Sequence, residues 1–182
     1  EFAHLMSYDE VYDLLKDCFG DGTIAEQILN NSHQLRLKYQ EYSLERKQMI
    51  PKIDLPDYPA SNERWRFSSH PLLNELLTSD NIQERYWINE CLRSLEEKGL
   101  LLYDEYLTRL ETEADVIKDI GEKLDDCLFA YFNTFKHYID LFWECGSIVG
   151  PGRGSSTGFL SNYLLGITQL DPIRWELPYW RF

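Results

Sequence analysis

A helix-rich α+β fold is what this sequence predicts, and three observations carry the prediction. Apolar residues recur at helical spacing through most of residues 71–145. A short β-branched pair, Ile148-Val149, stands directly before a dense run of glycines. An amphipathic pattern then resumes at Phe159, Leu160, Tyr163 and Leu164. The chain has 182 residues, 43% of them hydrophobic and 14% aromatic, which is enough to build a core and excludes wholesale disorder. With 18 Lys and Arg against 31 Asp and Glu, the net charge is −13. Such a chain repels phosphate backbones, so negligible DNA binding is expected of it alone. No apolar run approaches the roughly 20 residues that cross a bilayer, and no signal-peptide pattern opens the chain. A cytoplasmic protein without membrane contact is the expectation.

Taken in order, residues 1–6 read as an added leader before a start-like Met6. Ser7 to Leu15 reads as a short helix, with Ser7 and Glu10 at capping-box spacing. Thr23 to Leu29 reads as a second, stopped by Asn30 and Asn31. Gln34 to Met49 is polar with poor apolar spacing. Pro51, Pro56 and Pro59 then make residues 51–61 an extended connector.

From Pro71 the helical signal strengthens. Leu72, Leu73, Leu76 and Leu77 form one stripe; Ile82, Tyr86, Asn89, Leu92 and Leu95 form another, with Gly99 as its stop. Tyr106 to Ile120 follows, with Leu107, Leu110, Ala114 and Ile117 on the core face. Its opposite face, carrying Glu111, Glu113, Asp115 and Lys118, reads as solvated surface. Leu128, Tyr131, Phe135, Tyr138, Ile139 and Phe142 read as a core stripe, and His137 has no histidine one turn away to make a metal pair. Cys18, Cys91, Cys127 and Cys145 are scattered, far from metal spacing, and read as buried free thiols of a reducing compartment.

Chemistry concentrates at the glycines. Five of the ten lie between Gly146 and Gly158, in Gly-Ser-Ile-Val-Gly-Pro-Gly-Arg-Gly-Ser-Ser-Thr-Gly. That density lets a backbone approach a ligand closely. A strand at Ile148–Val149, the loop, and a helix beginning near Ser155 would together make an anion site, because the first helical N–H groups lack intrahelical acceptors. Ser155 or Ser156 would cap that helix and bond a phosphate oxygen, and Arg153 would add a planar cationic donor. Gly166 would close the helix. The loop is not a nucleotide-hydrolase P-loop, since no lysine follows Lys136. It is not a dinucleotide fingerprint either, for no βαβ pattern surrounds it.

Val149-Gly-Pro-Gly-Arg-Gly-Ser155 closely resembles the glycine-serine motif in the palm of the C-family bacterial replicative DNA polymerases, the DNA polymerase III alpha subunits. Tyr163-Leu-Leu-Gly-Ile-Thr-Gln-Leu-Asp-Pro172 is similar to the segment that follows the motif in that family. Tyr106-Leu-Thr-Arg-Leu-Glu-Thr-Glu-Ala-Asp-Val-Ile117 resembles its helix with an Arg-Leu-Glu core, and Tyr131-Phe132 stands at the usual distance before the loop. Fainter similarity at Ile24-Ala-Glu-Gln27 and the proline connector makes residues 7–61 a helical segment and linker following an absent PHP domain, with 62–182 the N-terminal half of the palm. Asn133 and Thr134 depart from an otherwise apolar stretch, the segment from Gly121 to Tyr131 is longer than usual, and Trp180 replaces an acidic residue. These departures point to a divergent member, from a phage or mobile element, or a specialised paralogue.

The resemblance implies a palm like that of polymerase-beta-like nucleotidyltransferases and a DNA-directed DNA polymerase as the parent. Arg153, Gly154, Ser155 and Ser156 would hold the triphosphate of the incoming deoxynucleotide (dNTP). Mg2+ serves the parent enzyme, with none expected on this chain alone. The family's catalytic Asp-x-Asp pair comes after Arg-Phe, where this sequence stops at Phe182, so no catalytic residue is assigned and the fragment is expected to be inactive. Asp171, before Pro172, reads as a cap and not a metal ligand. Primer-template DNA and the sliding clamp would contact other parts of the parent. The alternative is a non-catalytic helical interaction module built on the same scaffold, with Trp175, Tyr179 and Trp180 as apolar docking residues.

Overall fold

A computed structural model describes residues 4–39, 43–44, 49–56 and 64–182. The chain divides into two compact units, Glu1–Lys47 and Gln48–Phe182.

The first unit is a helical pair. Helix α1 spans Tyr8–Phe19, opened by the predicted capping box: the Glu10 amide donates to Ser7 Oγ at 3.3 Å and the Ser7 amide to Glu10 Oε2 at 2.7 Å. Gly20 closes it at φ +67°. Helix α2 spans Gly22–Leu37, with Asp21 Oδ1 accepting from the Thr23 amide at 2.8 Å. It runs through Asn30 and Asn31, contrary to the predicted stop. Both side chains are exposed, and a mid-helix asparagine costs only about 0.7 kcal/mol against alanine, too little to break a capped helix. Part of the polar stretch from Gln34 to Met49 and residues 57–61 of the predicted connector lie outside the described residues.

The second unit is built on α3 (Pro71–Thr78), α4 (Ile82–Glu97), α5 (Asp104–Leu124), α6 (Phe129–Glu144) and the short α7 (Leu160–Leu164). Proline stands at the first position of α3, where its missing N–H costs nothing. Gly99 ends the segment of α4 at φ +70°, as predicted. Helix α4 is central: it packs against α3, α6 and α7. Its buried face is Trp87, Ile88, Cys91, Leu92 and Leu95, one step round from the predicted stripe, leaving Ile82 and Tyr86 only partly buried. Trp87 meets Phe129 edge to face, with centroids 4.9 Å apart. Leu107, Leu110, Ala114 and Ile117 bury the expected face of α5.

Asn133 and Thr134 are buried polar residues with tertiary partners. Asn133 Nδ2 donates to the Gln83 carbonyl at 2.8 Å and to Gln83 Oε1 at 2.9 Å. Thr134 Oγ1 donates to the Ala130 and Pro51 carbonyls, and Gln83 Nε2 donates to the Ile53 carbonyl. The two residues that depart from the family's apolar pattern therefore fasten the proline connector onto α4 and α6, as buried polar groups require.

Three expectations fail here. The predicted α6 stripe is not the core face: Leu128, Tyr131 and Ile139 are only half-buried and Phe135, Tyr138 and Phe142 are exposed, Tyr138 by 52%, while the buried residues are Phe129, Ala130 and Phe132, outside that stripe. Periodicity reports the helix, but burial depends on having a neighbour, and along the second half of α6 Tyr138, Leu141, Phe142 and Trp143 are left exposed. Ile148–Val149 forms no strand, and Ile148 is 93% exposed. A strand needs a partner to pair its backbone groups, and the described residues contain no strand. Finally, only Cys91 is buried; Cys18 and Cys145 are exposed and Cys127 is half-buried, all four with free thiols.

Candidate functional site

The glycine loop is shaped by the positions that require glycine. Gly152 has φ +133°, and a Cβ there would lie 2.6 Å from Thr157 Cγ2; Gly154 has φ +68°. Gly158 packs so tightly that a Cβ would lie 2.5 Å from the Pro178 carbonyl oxygen. Gln169 N–H donates to the Pro151 carbonyl at 2.7 Å, pinning the loop's entry to the segment after α7.

The predicted helix near Ser155 is a 3-10 turn over Gly154–Gly158; the α-helix itself starts at Leu160. Ser156 does not cap: its Oγ donates to the Arg153 carbonyl at 2.8 Å, and Thr157 Oγ1 donates to the Gly154 carbonyl. The first amides of α7 are already taken. Glu113 Oε1 accepts from the Leu160 amide at 2.6 Å and Oε2 from the Ser161 amide at 2.8 Å. Glu113 is 0% exposed, so its assignment to a solvated face of α5 is wrong. Glu111 on the same face is also engaged, accepting from the Leu72 amide and pairing with the His70 ring at 2.9 Å.

Glu113 is held in turn by Arg109, whose Nε lies 2.9 Å from Oε1. Burial holds the Glu113 carboxyl above the usual carboxylate range, and the Ser161 and Leu160 amides and Arg109 offset only part of that rise. Its three partners are all donors, so the carboxylate is the bonded form. Arg109 Nη2 donates to the Gly158 carbonyl at 2.6 Å and the Leu177 carbonyl at 2.9 Å, and its guanidinium lies 4.9 Å from the Tyr179 ring centroid. Sequence reading missed this pair. The signal was present in the i,i+4 spacing of Arg109 and Glu113, but that spacing also describes an ordinary surface ion pair.

The phosphate-site candidates therefore stand at the 3-10 turn and not at α7. Arg153, Gly154 and Ser155 are exposed and Ser156 is half-buried. Gly154 and Ser155 lead the turn, where i→i+3 bonding leaves the first amides without intrahelical acceptors. Among the described residues no other group bonds these two amides. They border a groove of about 290 Å3 with Gly154, Ser155, Thr157 and Gly158 on one wall and Leu177, Pro178 and Arg181 on the other. Arg181, absent from the predicted set, thus faces the loop. Neither Arg153 nor Arg181 is in an ion pair among the described residues.

Asp171 caps as predicted: Oδ1 accepts from the Ile173 and Arg174 amides at 3.0 and 3.2 Å, and Oδ2 accepts from Tyr106 Oη at 2.7 Å. Burial, reinforced by that carboxylate, raises the Tyr106 hydroxyl above its usual range.

The site is thus a helical scaffold that fastens a glycine loop through a buried ion pair, with Arg181 on the groove wall opposite Gly154 and Ser155. The family is given by comparison with known proteins. The family described as Bacterial DNA polymerase III alpha NTPase domain matches residues 73–182, more than half of the chain, and the chain belongs to it. The chain is 27% identical over 192 aligned residues to the probable DNA polymerase YorL of Bacillus subtilis (strain 168), a match covering all of this chain and 15% of that protein. It matches the DNA-directed DNA polymerase of Bacillus phage SPbeta with the same identity and coverage. It is 40% identical over 88 residues to DNA polymerase III subunit alpha of Thermotoga maritima, covering 48% of this chain and 10% of that protein. The chain thus spans about 15% of the length of the relatives that match it throughout.

Proposed function

We propose that this chain is part of a DNA-directed DNA polymerase and that its loop holds the triphosphate of the incoming deoxynucleotide. The observation that carries the reading is the turn at Gly154–Ser155: exposed amides beside Arg153, facing Arg181 across the groove. Residues 7–61 would be the helical segment and connector after a PHP domain, and 62–182 the N-terminal half of a polymerase-beta-like palm. The Ile148–Val149 segment, with Ile148 exposed, would become a strand only when the rest of that palm supplies a neighbour. A cytoplasmic setting follows from this reading; among the described residues no helix is long and apolar enough to cross a membrane.

Mg2+ would assist the parent by neutralising charge on the phosphates. The acidic groups here do not fit such an ion: among the described residues no three are grouped to ligate one, and both oxygens of Asp171 are engaged. This chain's own contribution is to bind and orient the phosphates. Primer-template DNA and a sliding clamp would engage other parts of the parent.

A short 3-10 turn supplies the low end of the helix-terminus effect, about 0.3 kcal/mol, and an arginine hydrogen bond about 1.5–3 kcal/mol. One arginine bond then gives a total of about 2–3 kcal/mol, a Kd weaker than about 1 mM, and two give about 3–6 kcal/mol, which brackets a Kd of about 1 mM. Titration of the 15N-labelled chain with a deoxynucleoside triphosphate checks this. Millimolar shifts at Gly154 and Ser155 support the reading, and no shift at either amide refutes it. The exposed aromatic face of α6, with Tyr138, Phe142 and Trp143, favours a second reading as a helical interaction module. Loss of a protein complex on substituting that face, with triphosphate binding absent, would select it.

A further inference from the structure

We propose that Arg109, locked in place by Glu113, is a positioning residue for phosphate binding: its one guanidinium ties the two walls of the groove together and so sets the distance from the Gly154 and Ser155 amides to Arg181. The proposal rests on the triphosphate reading above and deepens it.

Three observations lead here. The two walls come from segments far apart in sequence, and the Arg109 Nη2 group bonds a carbonyl on each, Gly158 on the loop wall and Leu177 on the C-terminal wall. Its face packs on Tyr179, two residues before Arg181. Glu113 fixes the other edge of the guanidinium through Nε, and the same carboxylate anchors Leu160 and Ser161, just beyond the loop. A planar fork with donors on several edges can hold these partners at once, whereas an ammonium can hold the charge but not the span. The walls meet closely where Gly158 abuts Pro178, so the groove has little slack. Arg109 touches no ligand in this account; it acts through the placement of the groups that do.

The test is an NMR titration with inorganic tripolyphosphate on the full chain, comparing the unsubstituted protein with Arg109→Lys and with the doubly substituted Arg109→Met, Glu113→Met. The double substitution removes both buried charges together, which preserves folding better than stranding one of them. Lys123→Ala, exposed on α5, is the control. Thermal unfolding is recorded for each, and titrations are made where all are folded. A role in stability alone would shift the melting temperature and leave Kd unchanged. The expected result is a Kd at least tenfold higher in both Arg109 variants and unaltered in the control. A folded Arg109 variant that binds tripolyphosphate like the unsubstituted chain overturns the proposal. If the unsubstituted chain itself shows no shift at Gly154 and Ser155, the triphosphate reading fails instead. Hydrogen exchange without ligand then decides the tie on its own. Faster exchange on both walls in the variants supports it, and a change on one wall only, or none, overturns it.

Discussion

Replacing Glu113 with glutamine should be among the most damaging single changes on α5. The carboxylate accepts from two backbone amides and from Arg109, with no exposure to water. Glutamine keeps the volume but turns one acceptor into a donor, which must face an amide that also donates. One buried N–H is then unsatisfied, at about 1–3 kcal/mol. The Arg109 charge also loses its counter-ion, and breaking one side of a buried pair costs about 3–5 kcal/mol in total, a range that includes the stranded amide. Against a typical domain stability of about 5–15 kcal/mol, that is a large fraction. Urea unfolding followed by tryptophan fluorescence should show the midpoint falling accordingly. Asp119→Asn is the matched control: its carboxylate is exposed and, among the described residues, paired only with Lys123, so a change within about 0.5 kcal/mol is expected. If Glu113→Gln costs no more than that control, Glu113 is the solvated residue its spacing suggested, and the account of the loop's anchorage is wrong.

Two further outcomes follow from the same structure. Gly158→Ala should cost about 1–3 kcal/mol, because its methyl group meets backbone at Pro178 that cannot yield as a side-chain tip would; an unchanged melting temperature would refute that close approach. His70 makes stability depend on pH. Burial lowers its pKa, but the bonds to Glu111 and Asp104 and the charges of both outweigh that and hold it above the ordinary histidine value. The folded state therefore binds the proton more tightly than the unfolded chain, so the stabilisation is complete below the unfolded value and is lost as pH rises through the folded one. His70→Gln should flatten that fall in the urea midpoint; a variant with the same pH profile as the parent chain would exclude His70 as its source.

Much of the scaffold was legible from local pattern. The capping box at Ser7 and Glu10, the proline opening α3, the stops at Gly99 and Gly166, and the cap at Asp171 each involve residues within a few positions of one another. Their physics is local, so spacing is enough to find them. The glycine loop was legible for the same reason, since left-handed φ values at Gly152 and Gly154 call for glycine whatever surrounds them. The family, too, could be read from the letters of the loop and its flanks, and the match over residues 73–182 bears it out.

Burial and partnership were decided elsewhere. Phe135, Tyr138 and Phe142 share a stripe with the half-buried Leu128 and Tyr131 yet are exposed, because periodicity defines a helix face and says nothing of whether a neighbour lies against it. Glu113 sits among charged residues and looks solvated until α7 arrives, 47 positions on, to place two amides against its carboxylate. Arg109 becomes the link between groove walls only when Gly158 and Leu177 are folded to its two sides. The sequence alone determined where most helices lie, the caps that are local, and the presence of a glycine loop, since those depend on near neighbours along the chain. Only the tertiary structure decided which amides of that loop remain free and what holds them, because a buried charge takes its meaning from groups that distant segments bring to it.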